Sequence, residues 1–275
     1  MQFVSYRDAA GAEAVGRVEG GRAHRLRDVA GIDATVTPER LRDAAADPEG
    51  VPLEELTLLP VAPRPGKVFC VGLNYRSHID ETGRELPTYP VWFPKYASNL
   101  IGHGAPIALP PESRQVDYEA ELAVVIGRGG RRITREEAPA HVLGYTIGND
   151  VTMRDFQYKT HQWMQGKAWD GSTPLGPVLV TPDEIDPGKL DIALRLNGRE
   201  MQSSNTSRLI FDIPELISVA SRFTRLEPGD VILTGTPGGV GFRRDPQVFL
   251  ADGDVVEVEI EGLGVLRNTV RAESA

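Results

Sequence analysis

An apolar stretch that carries two glutamates places the strongest constraint on the fold. Residues 116–126 read V-D-Y-E-A-E-L-A-V-V-I, which predicts a β-strand with Glu119 and Glu121 near its start. Because side chains alternate faces along a strand, both glutamates point to one face about 7 Å apart, while the even-numbered residues from 120 to 126 form an apolar opposite face. Two like charges in a half-buried sheet repel each other unless a positive group lies between them. A divalent metal ion would supply that positive charge, but this pattern by itself is more often a solvated sheet edge with both carboxylates in water, and a third carboxylate shifts the balance towards the metal.

A third carboxylate, Asp150, follows a second strand-like run, residues 142–149, which read V-L-G-Y-T-I-G-N. Functional sites are often assembled where strands end and loops begin. Three carboxylates without a cysteine or an obligatory histidine suit a hard cation such as Mg²⁺, Mn²⁺ or Ca²⁺ better than Zn²⁺. They also leave coordination positions for water or substrate. The incomplete shell therefore favours a catalytic metal site over a purely structural one.

Charge and cysteine content narrow the classes of partner and compartment. A formal net charge of −9 and a pI near 5.2 argue against nucleic acid or an anionic membrane as the main partner. The single cysteine, Cys70, excludes an internal disulfide and fits a reducing compartment, and its apolar neighbours favour a buried thiol over a nucleophile. The first residues lack a secretion-signal pattern, and no apolar run approaches the roughly 20 residues of a membrane span. We therefore expect a cytoplasmic protein.

Glycine and proline content predicts a mixed α/β fold that is predominantly β. The 275 residues include 29 glycines and 21 prolines, with aromatic residues at only 7%, a composition that favours turns and short strands over long helices. Two helices are nevertheless predicted in the larger part of the chain, one from Tyr75 to about Thr82 and one from Ile213 to Phe223. Asp212 or Pro214 begins the second of them.

A proline-rich segment divides the chain into two predicted domains. Residues 1–60 form a small N-terminal α/β module with short strands near Phe3–Tyr6 and Ala14–Val18. A short helix begins there at Thr37, where the threonine caps and a proline occupies the first helical position. The linker Leu59–Gly66 can continue neither a helix nor a central strand. The larger, catalytic domain is expected to span residues 67–275.

A histidine and a glutamate on the first predicted helix form a candidate general-base pair. His78 and Glu81 are three residues apart and share a helix face, so the carboxylate can orient the imidazole and raise its basicity. A surface pair worth a few tenths of a kcal/mol is the alternative. The other four histidines have no comparable partner and are interpreted as structural or surface residues.

Two loop segments add further candidates. Lys167 follows a glycine and precedes a turn rich in proline and glycine, a setting for a fixed cation that favours a developing enolate or oxyanion, although a surface lysine is the alternative. The Gly-rich loop at residues 234–241 lacks the lysine of a phosphate-binding loop. Its amides and the Thr236 hydroxyl are positioned to bind a carboxylate. A simple tight turn is equally compatible with the spacing.

Taken together, these motifs resemble the fumarylacetoacetate hydrolase family. Five motifs occur in that family's order between Lys67 and Val270: G-x-N-Y-x-x-H-x-x-E, D-Y-E-x-E-L-A-V-V-I-G, G-Y-T-I-x-N-D-V-T-x-R-D-x-Q, G-K-x-x-D-x-x-x-P-L-G-P and L-x-P-G-D-V-I-L-T-G-T-P-x-G-V-G. Residues up to about 60 match only the loosely similar N-terminal module of many short, bacterial-type members. The resemblance implies a β-roll or β-sandwich catalytic domain and a homodimer.

The resemblance also implies a role for each candidate residue. By family position, the ligands of Mg²⁺ or Mn²⁺ are Glu119, Glu121 and Asp150, the catalytic residues are His78, Glu81 and Lys167, and the substrate-binding residues are Arg154, Gln157 and Thr236. Ca²⁺ is expected to bind in vitro.

By the same resemblance, we expect hydrolysis of a carbon–carbon bond. The substrate would be a small anionic 2-oxo acid of the acylpyruvate or fumarylpyruvate type. Water activated by His78 and Glu81 would attack the distal carbonyl, and the metal would stabilise the enolate that leaves. Relatives with the same metal ligands decarboxylate oxaloacetate or isomerise 2-hydroxyhepta-2,4-diene-1,7-dioate from aromatic catabolism, and both reactions remain alternatives. Phosphoester hydrolysis is a weaker alternative because the sequence has no phosphate-binding loop and no cluster of basic residues. A non-enzymatic binding protein is weaker still, because it would not need the His78–Glu81 pair.

Overall fold

The computed structural model describes residues 1–273, which form the predicted predominantly β architecture. The strands, in chain order, are β1 (Gln2–Arg7), β2 (Glu13–Glu19), β3 (Arg22–Arg25), β4 (Val51–Pro52), β5 (Thr57–Leu58), β6 (Val68–Gly72), β7 (Val91–Lys95), β8 (Leu100–Ile101), β9 (Ile107–Leu109), β10 (Val116–Asp117), β11 (Ala120–Ile126), β12 (Val142–Asn149), β13 (Thr152–Met153), β14 (Thr173–Val180), β15 (Asp191–Leu196), β16 (Arg199–Asn205), β17 (Val231–Leu233), β18 (Val255–Ile260) and β19 (Gly264–Ala272). The α-helices are α1 (Pro38–Asp43), α2 (Arg76–Thr82), α3 (Arg154–Gln157), α4 (Met164–Lys167) and α5 (Ile213–Phe223). Short 3₁₀ helices occupy Leu53–Glu55, Ala97–Asn99, Ala138–His141, Thr206–Arg208 and Gly241–Arg243.

The strands form one large sheet and two smaller ones. The large sheet has the order β4-β3-β2-β1-β14-β12-β11-β17-β6-β7, with β5 and β8 paired to β1 and β14. A five-stranded sheet has the order β16-β15-β18-β19-β9, and β10 pairs with β13. Most neighbours are antiparallel, whereas β17 with β6, β14 with β8 and β19 with β9 are parallel. The fold-class prediction, mixed α/β and predominantly β, is confirmed.

Strand β11 lies in the middle of the large sheet and is buried on both faces. Leu122 and Val124 belong to a core cluster shared with the five-stranded sheet and α5. Ala123 and Val125 belong to a second cluster on the opposite face. A second layer therefore covers the glutamate-bearing face as well, and the sheet is fully buried at this strand, not half-buried. A near-continuous apolar run, rather than strict alternation, is typical of such a strand.

The N-terminal residues extend this large sheet. Strand β1 pairs with β14, with Phe3 opposite Leu179, and Phe3 is buried in the second core cluster. The predicted helix is present as α1, and the Thr37 hydroxyl accepts from the Arg40 amide at 3.2 Å. We keep the division into residues 1–60 and 67–275 as a proposal about folding units.

The two helices expected in the larger part are also present. Helix α2 begins at Arg76, one residue later than predicted, and ends before Gly83. Helix α5 begins at Ile213, and Asp212 caps it by accepting from the Glu215 amide at 2.9 Å. Cys70 is buried, and burial raises the pKa of its thiol, which confirms the core interpretation. Across residues 1–273, no helix is both long enough and apolar enough to span a bilayer.

Candidate active site

The pairing of β11 with β12 brings the predicted metal ligands together. The strands are antiparallel, with Ala120 opposite Asn149, so the start of one lies beside the end of the other. Glu119 comes one residue before β11 and Asp150 one residue after β12. The Asp150 amide donates to the Glu119 carbonyl at 2.9 Å. Antiparallel register therefore places two separate sequence motifs at one position in the sheet.

Glu119, Glu121 and Asp150 form a buried carboxylate triad. One oxygen from each lies within 4.8 Å of the others, and the three residues are 4%, 1% and 0% exposed. The solvated-edge alternative is therefore wrong. Burial, together with the charges of Asp150 and Glu119, raises the pKa of Glu121 well above its usual value. This concentration of negative charge can hold a divalent cation.

Two basic side chains offset part of the charge. Lys167 Nζ donates to Glu119 Oε2 and to Asp150 Oδ2, each at 2.8 Å. Arg154 Nη2 lies 2.7 Å from Glu119 Oε1. Burial alone would raise the pKa of Glu119, but Lys167 and Arg154 outweigh it and lower that pKa to about 2. Glu119 and Asp150 thus have cationic partners, whereas Glu121 has none among residues 1–273.

A third basic residue, Lys95 at the end of β7, escaped prediction from the sequence. Its Nζ lies 2.9 Å from Asp150 Oδ1 and donates to the Val151 carbonyl at 3.1 Å, to the Thr173 hydroxyl at 2.8 Å and to the Lys167 carbonyl. Strand β7 reads V-W-F-P-K, which does not distinguish this lysine from an exposed residue at a strand end. The ammonium is buried only because β7 pairs with β6 beside the site.

The geometry at Asp150 fits a cation at the triad. The N–H groups of Lys95 are directed at Val151, Thr173 and Lys167, so Asp150 Oδ1 receives positive charge without a hydrogen bond. Asp150 Oδ1 is a buried oxygen that has no donor among residues 1–273, and such atoms are rare unless an ion or water uses them. Carboxylate oxygens alone form the ligand set, which suits a hard cation.

Helix α2 positions the candidate base pair. His78 and Glu81 lie on one face of the helix, and His78 Nδ1 is 2.7 Å from Glu81 Oε1. The Gly239 amide donates to the other oxygen of Glu81 at 2.7 Å and fixes the carboxylate. A carboxylate partner on Nδ1 assigns the ring proton to that nitrogen and leaves Nε2 as the basic atom. His78 lines the same cavity as Glu119.

The Gly-rich loop at residues 234–241 binds side-chain carboxylates of the chain itself. The Gly235 amide donates to Glu121 Oε2 at 2.7 Å, and the Gly239 amide donates to Glu81. Both glycines have positive φ, 106° and 105°, and a Cβ on Gly239 would lie 2.2 Å from the Met201 carbonyl oxygen. The loop amides therefore bind carboxylates as expected, and at these two positions the carboxylates belong to Glu121 and Glu81.

Arg154, Gln157 and Thr236 reach the cavity, and each also has a partner in the chain. Arg154 donates from Nε to Asp117 at 2.8 Å and from Nη1 to Gln157 Oε1 at 3.0 Å. The Thr236 hydroxyl accepts from Gln202 Nε2 at 2.8 Å, so its own proton remains available to a ligand. Gln202 lies on β16, and no motif in the sequence identified it.

One cavity joins these groups. Six of the nine predicted site residues line it, and they are His78, Glu119, Arg154, Gln157, Lys167 and Thr236. Glu121 and Asp150 adjoin Glu119 in the triad, and Glu81 lies behind His78. The remaining walls include Arg84, Phe93, Tyr158 and Trp163. A cation site beside a base in one cavity is suited to binding an oxyanion and moving a proton on it.

Comparison with known proteins finds relatives over most of the chain. The model of the fumarylacetoacetate (FAA) hydrolase C-terminal domain matches residues 67–271. The mitochondrial oxaloacetate tautomerase FAHD2A of Bos taurus is 50% identical over 223 residues, which cover 80% of this chain and 71% of that protein.

Two solved structures are similar over nearly the whole chain. The 5-carboxymethyl-2-hydroxymuconate delta-isomerase from Mycobacterium smegmatis has a TM-score of 0.84 and 35% identity, and the match covers 99% of this chain and 100% of that one. The fumarylacetoacetate hydrolase from psychrophilic Exiguobacterium antarcticum has a TM-score of 0.84 and 36% identity, with the same coverage. Relatives on this fold thus carry the names of a tautomerase, an isomerase and a hydrolase.

Proposed function

The chain belongs to the fumarylacetoacetate hydrolase family, and from that premise we propose that it is a metal-dependent enzyme that tautomerises oxaloacetate between its keto and enol forms. The observation that carries the proposal is the carboxylate triad, which shares a cavity with His78 and Glu81. The similarity to a protein named oxaloacetate tautomerase directs the choice of reaction.

The ligands of the cation would be Glu119, Glu121 and Asp150, and their oxygens favour Mg²⁺ or Mn²⁺. When bound, the cation would supply positive charge to the carboxylate and the 2-oxo oxygen of the substrate. Lys167, 2.8 Å from both Glu119 and Asp150, adds a fixed cation beside that position.

The proton transfer is assigned to His78. Its Nε2 would take a proton from carbon 3 of oxaloacetate and return it to the oxygen on carbon 2, which converts the keto form to the enol with no net gain or loss of atoms. Glu81, held by the Gly239 amide, orients the ring and stabilises the imidazolium that forms between the two transfers.

Hydrolysis of an acylpyruvate is the second candidate, and the His78–Glu81 pair also favours it. In that reaction Nε2 would take its proton from water, the hydroxide would add to the distal carbonyl, and the carbon–carbon bond would break to give pyruvate and a carboxylic acid. The two reactions differ in whether water is consumed, so their products separate them.

A parallel assay of the chelated protein tests the proposal. Oxaloacetate tautomerisation is followed by loss of the enol absorbance, decarboxylation by carbon dioxide release, and cleavage of acylpyruvate or fumarylpyruvate by pyruvate formation, each with and without Mg²⁺ or Mn²⁺. We expect metal-dependent tautomerisation that His78→Asn reduces by about a hundredfold or more. Metal-dependent pyruvate formation from acylpyruvate without tautomerisation would instead select the hydrolase.

We also retain two proposals about the protein's setting. A homodimer, implied by the family resemblance, predicts a solution mass of twice 30.0 kDa in light scattering. Cytoplasmic location is supported by the single buried cysteine, and fractionation of the source cells tests it.

A further inference from the structure

Among residues 1–273, one cationic side chain at the cavity has no carboxylate partner. Lys167 and Arg154 are both bound to carboxylates of the chain. Arg84 lines the same cavity, is exposed, and has no carboxylate oxygen of residues 1–273 within 4.0 Å. Its guanidinium instead lies over the Trp163 ring, 5.3 Å from the centroid. Its N–H groups therefore remain available to an anion.

The end of α2 fixes Arg84 relative to the base pair. Gly83 adopts a φ of 65°, its amide donates to the Asp80 carbonyl at 3.3 Å, and the Arg84 amide donates to the Ile79 carbonyl at 3.4 Å. These two bonds are those of a Schellman motif, in which the residue after the left-handed glycine is bound back to the last turn. Arg84 is thus tied to the helix that carries His78.

The aromatic wall beneath Arg84 is also fixed. Trp163 packs against Gly72, where a Cβ would lie 2.4 Å from the indole ring. Trp163 meets Phe93 edge to face at 5.8 Å between centroids, and Lys167 Nζ lies 4.9 Å from the Phe93 centroid. The wall therefore has a cation at each end, Lys167 beside the triad and Arg84 at the far end, with apolar surface between them.

We infer that Arg84 binds the remote carboxylate of the substrate and makes the enzyme selective for 2-oxo dicarboxylates over 2-oxo monocarboxylates. The 2-oxo carboxylate end lies at the triad and Lys167, the hydrocarbon lies on Phe93 and Trp163, and the second carboxylate accepts from the guanidinium. This inference rests on the proposed function, because it takes the triad as the anchor of the 2-oxo acid.

Matched ligand pairs test the role of Arg84. Calorimetry of the Mg²⁺-loaded protein measures the affinity for two pairs of ligands. The first pair is 2-oxoglutarate and 2-oxopentanoate, and the second is 2-oxoadipate and 2-oxohexanoate. The members of each pair have the same chain length and differ in one carboxylate. Oxalate, which has no remote group, reports the anchor alone. In the wild type we expect the dicarboxylate of at least one pair to bind about tenfold more tightly. Arg84→Gln should abolish that preference and leave oxalate binding unchanged.

Arg76→Gln is the matched control. Arg76 lies on the same helix, is exposed, pairs with Asp80 at 3.1 Å and does not line the cavity. Arg76→Gln should retain the wild-type preference for dicarboxylates, because the positive charge that it removes lies outside the cavity.

The outcomes separate this inference from the proposed function. Suppose first that oxalate binds to the wild type only with metal, so that the proposed function stands. The role of Arg84 is then refuted by any one of three results: the wild type shows no dicarboxylate preference, Arg84→Gln keeps that preference, or Arg76→Gln loses it as well. If oxalate shows no metal-dependent binding to the wild type, both are refuted.

Discussion

Replacement of Glu121 by glutamine should stabilise the metal-free protein while it abolishes metal binding. Within the described part of the chain, Glu121 is buried without a cationic partner, and burial with the charges of Asp150 and Glu119 raises its pKa well above 4.5. In the unfolded chain the same group is ionised at about pH 7, so folding requires proton uptake. Each pH unit between 4.5 and the folded-state pKa of Glu121 costs about 1.4 kcal/mol.

The sign of the pH dependence follows from the raised pKa. The contribution of Glu121 to stability is fully present below pH 4.5 and is lost as the pH rises towards its folded-state pKa. Glu121→Gln removes this loss, and the amide oxygen can still accept from the Gly235 amide. We therefore expect the free energy of unfolding to gain about 1.4 kcal/mol for each pH unit from about 4.5 up to the folded-state pKa, and to gain little at about pH 4.5.

Urea unfolding in the presence of a chelator measures this effect. Glu54→Gln, at an exposed glutamate, is the control and should change stability by less than about 0.5 kcal/mol. Asp150→Asn removes the charge of another triad carboxylate but should have the opposite effect on stability. Asp150 contacts Lys95 and Lys167 at 2.9 and 2.8 Å, so its neutralisation leaves buried cations under-compensated and should cost about 3–5 kcal/mol. A loss of stability in chelated Glu121→Gln at about pH 7 would refute the electrostatic account of the triad.

Three further substitutions test other parts of the structure. Lys95→Met should lower the free energy of unfolding by about 3–5 kcal/mol, because it breaks a buried ion pair, and urea unfolding beside the exposed control Lys189→Met measures the loss. Gly239→Ala should reduce the catalytic rate by about tenfold or more, because displacement of its amide releases Glu81; Gly253→Ala, also at positive φ but with open space, is the kinetic control. Leu122→Ala should cost about 2–5 kcal/mol in thermal unfolding, and a cost below about 1 kcal/mol would contradict the packing of β11.

The sequence predicted those features that depend on local pattern or on order along the chain. Helix α5 was predicted with its observed bounds, since Asp212 is a favourable cap and Pro214 is tolerated in the first turn. Glu119 and Asp150 were grouped because each flanks a strand-like run, and antiparallel pairing brings those strand ends together. The pairing of His78 with Glu81 follows from helical spacing alone.

Features that depend on tertiary neighbours were missed. Lys95 contacts Asp150 only because β7 joins the sheet edge beside β6, and a lone lysine after V-W-F-P carries no local signal. Gln202 binds the Gly-rich loop from a strand of the other sheet, at Thr236. The layer that covers the glutamate-bearing face of β11 could not be predicted, because strand periodicity reports alternation and not the number of layers that cover a sheet.

A metal titration of activity tests the central claim most directly. Chelated protein is titrated with Mn²⁺ while bound metal and the rate of oxaloacetate tautomerisation are measured on the same samples. The triad account predicts that the rate rises from near zero and reaches its plateau at one bound Mn²⁺ per chain, and that Glu119→Gln and Asp150→Asn lose metal binding and rate together. Full activity in the chelated wild type, or undiminished Mn²⁺ affinity in both variants, would contradict it.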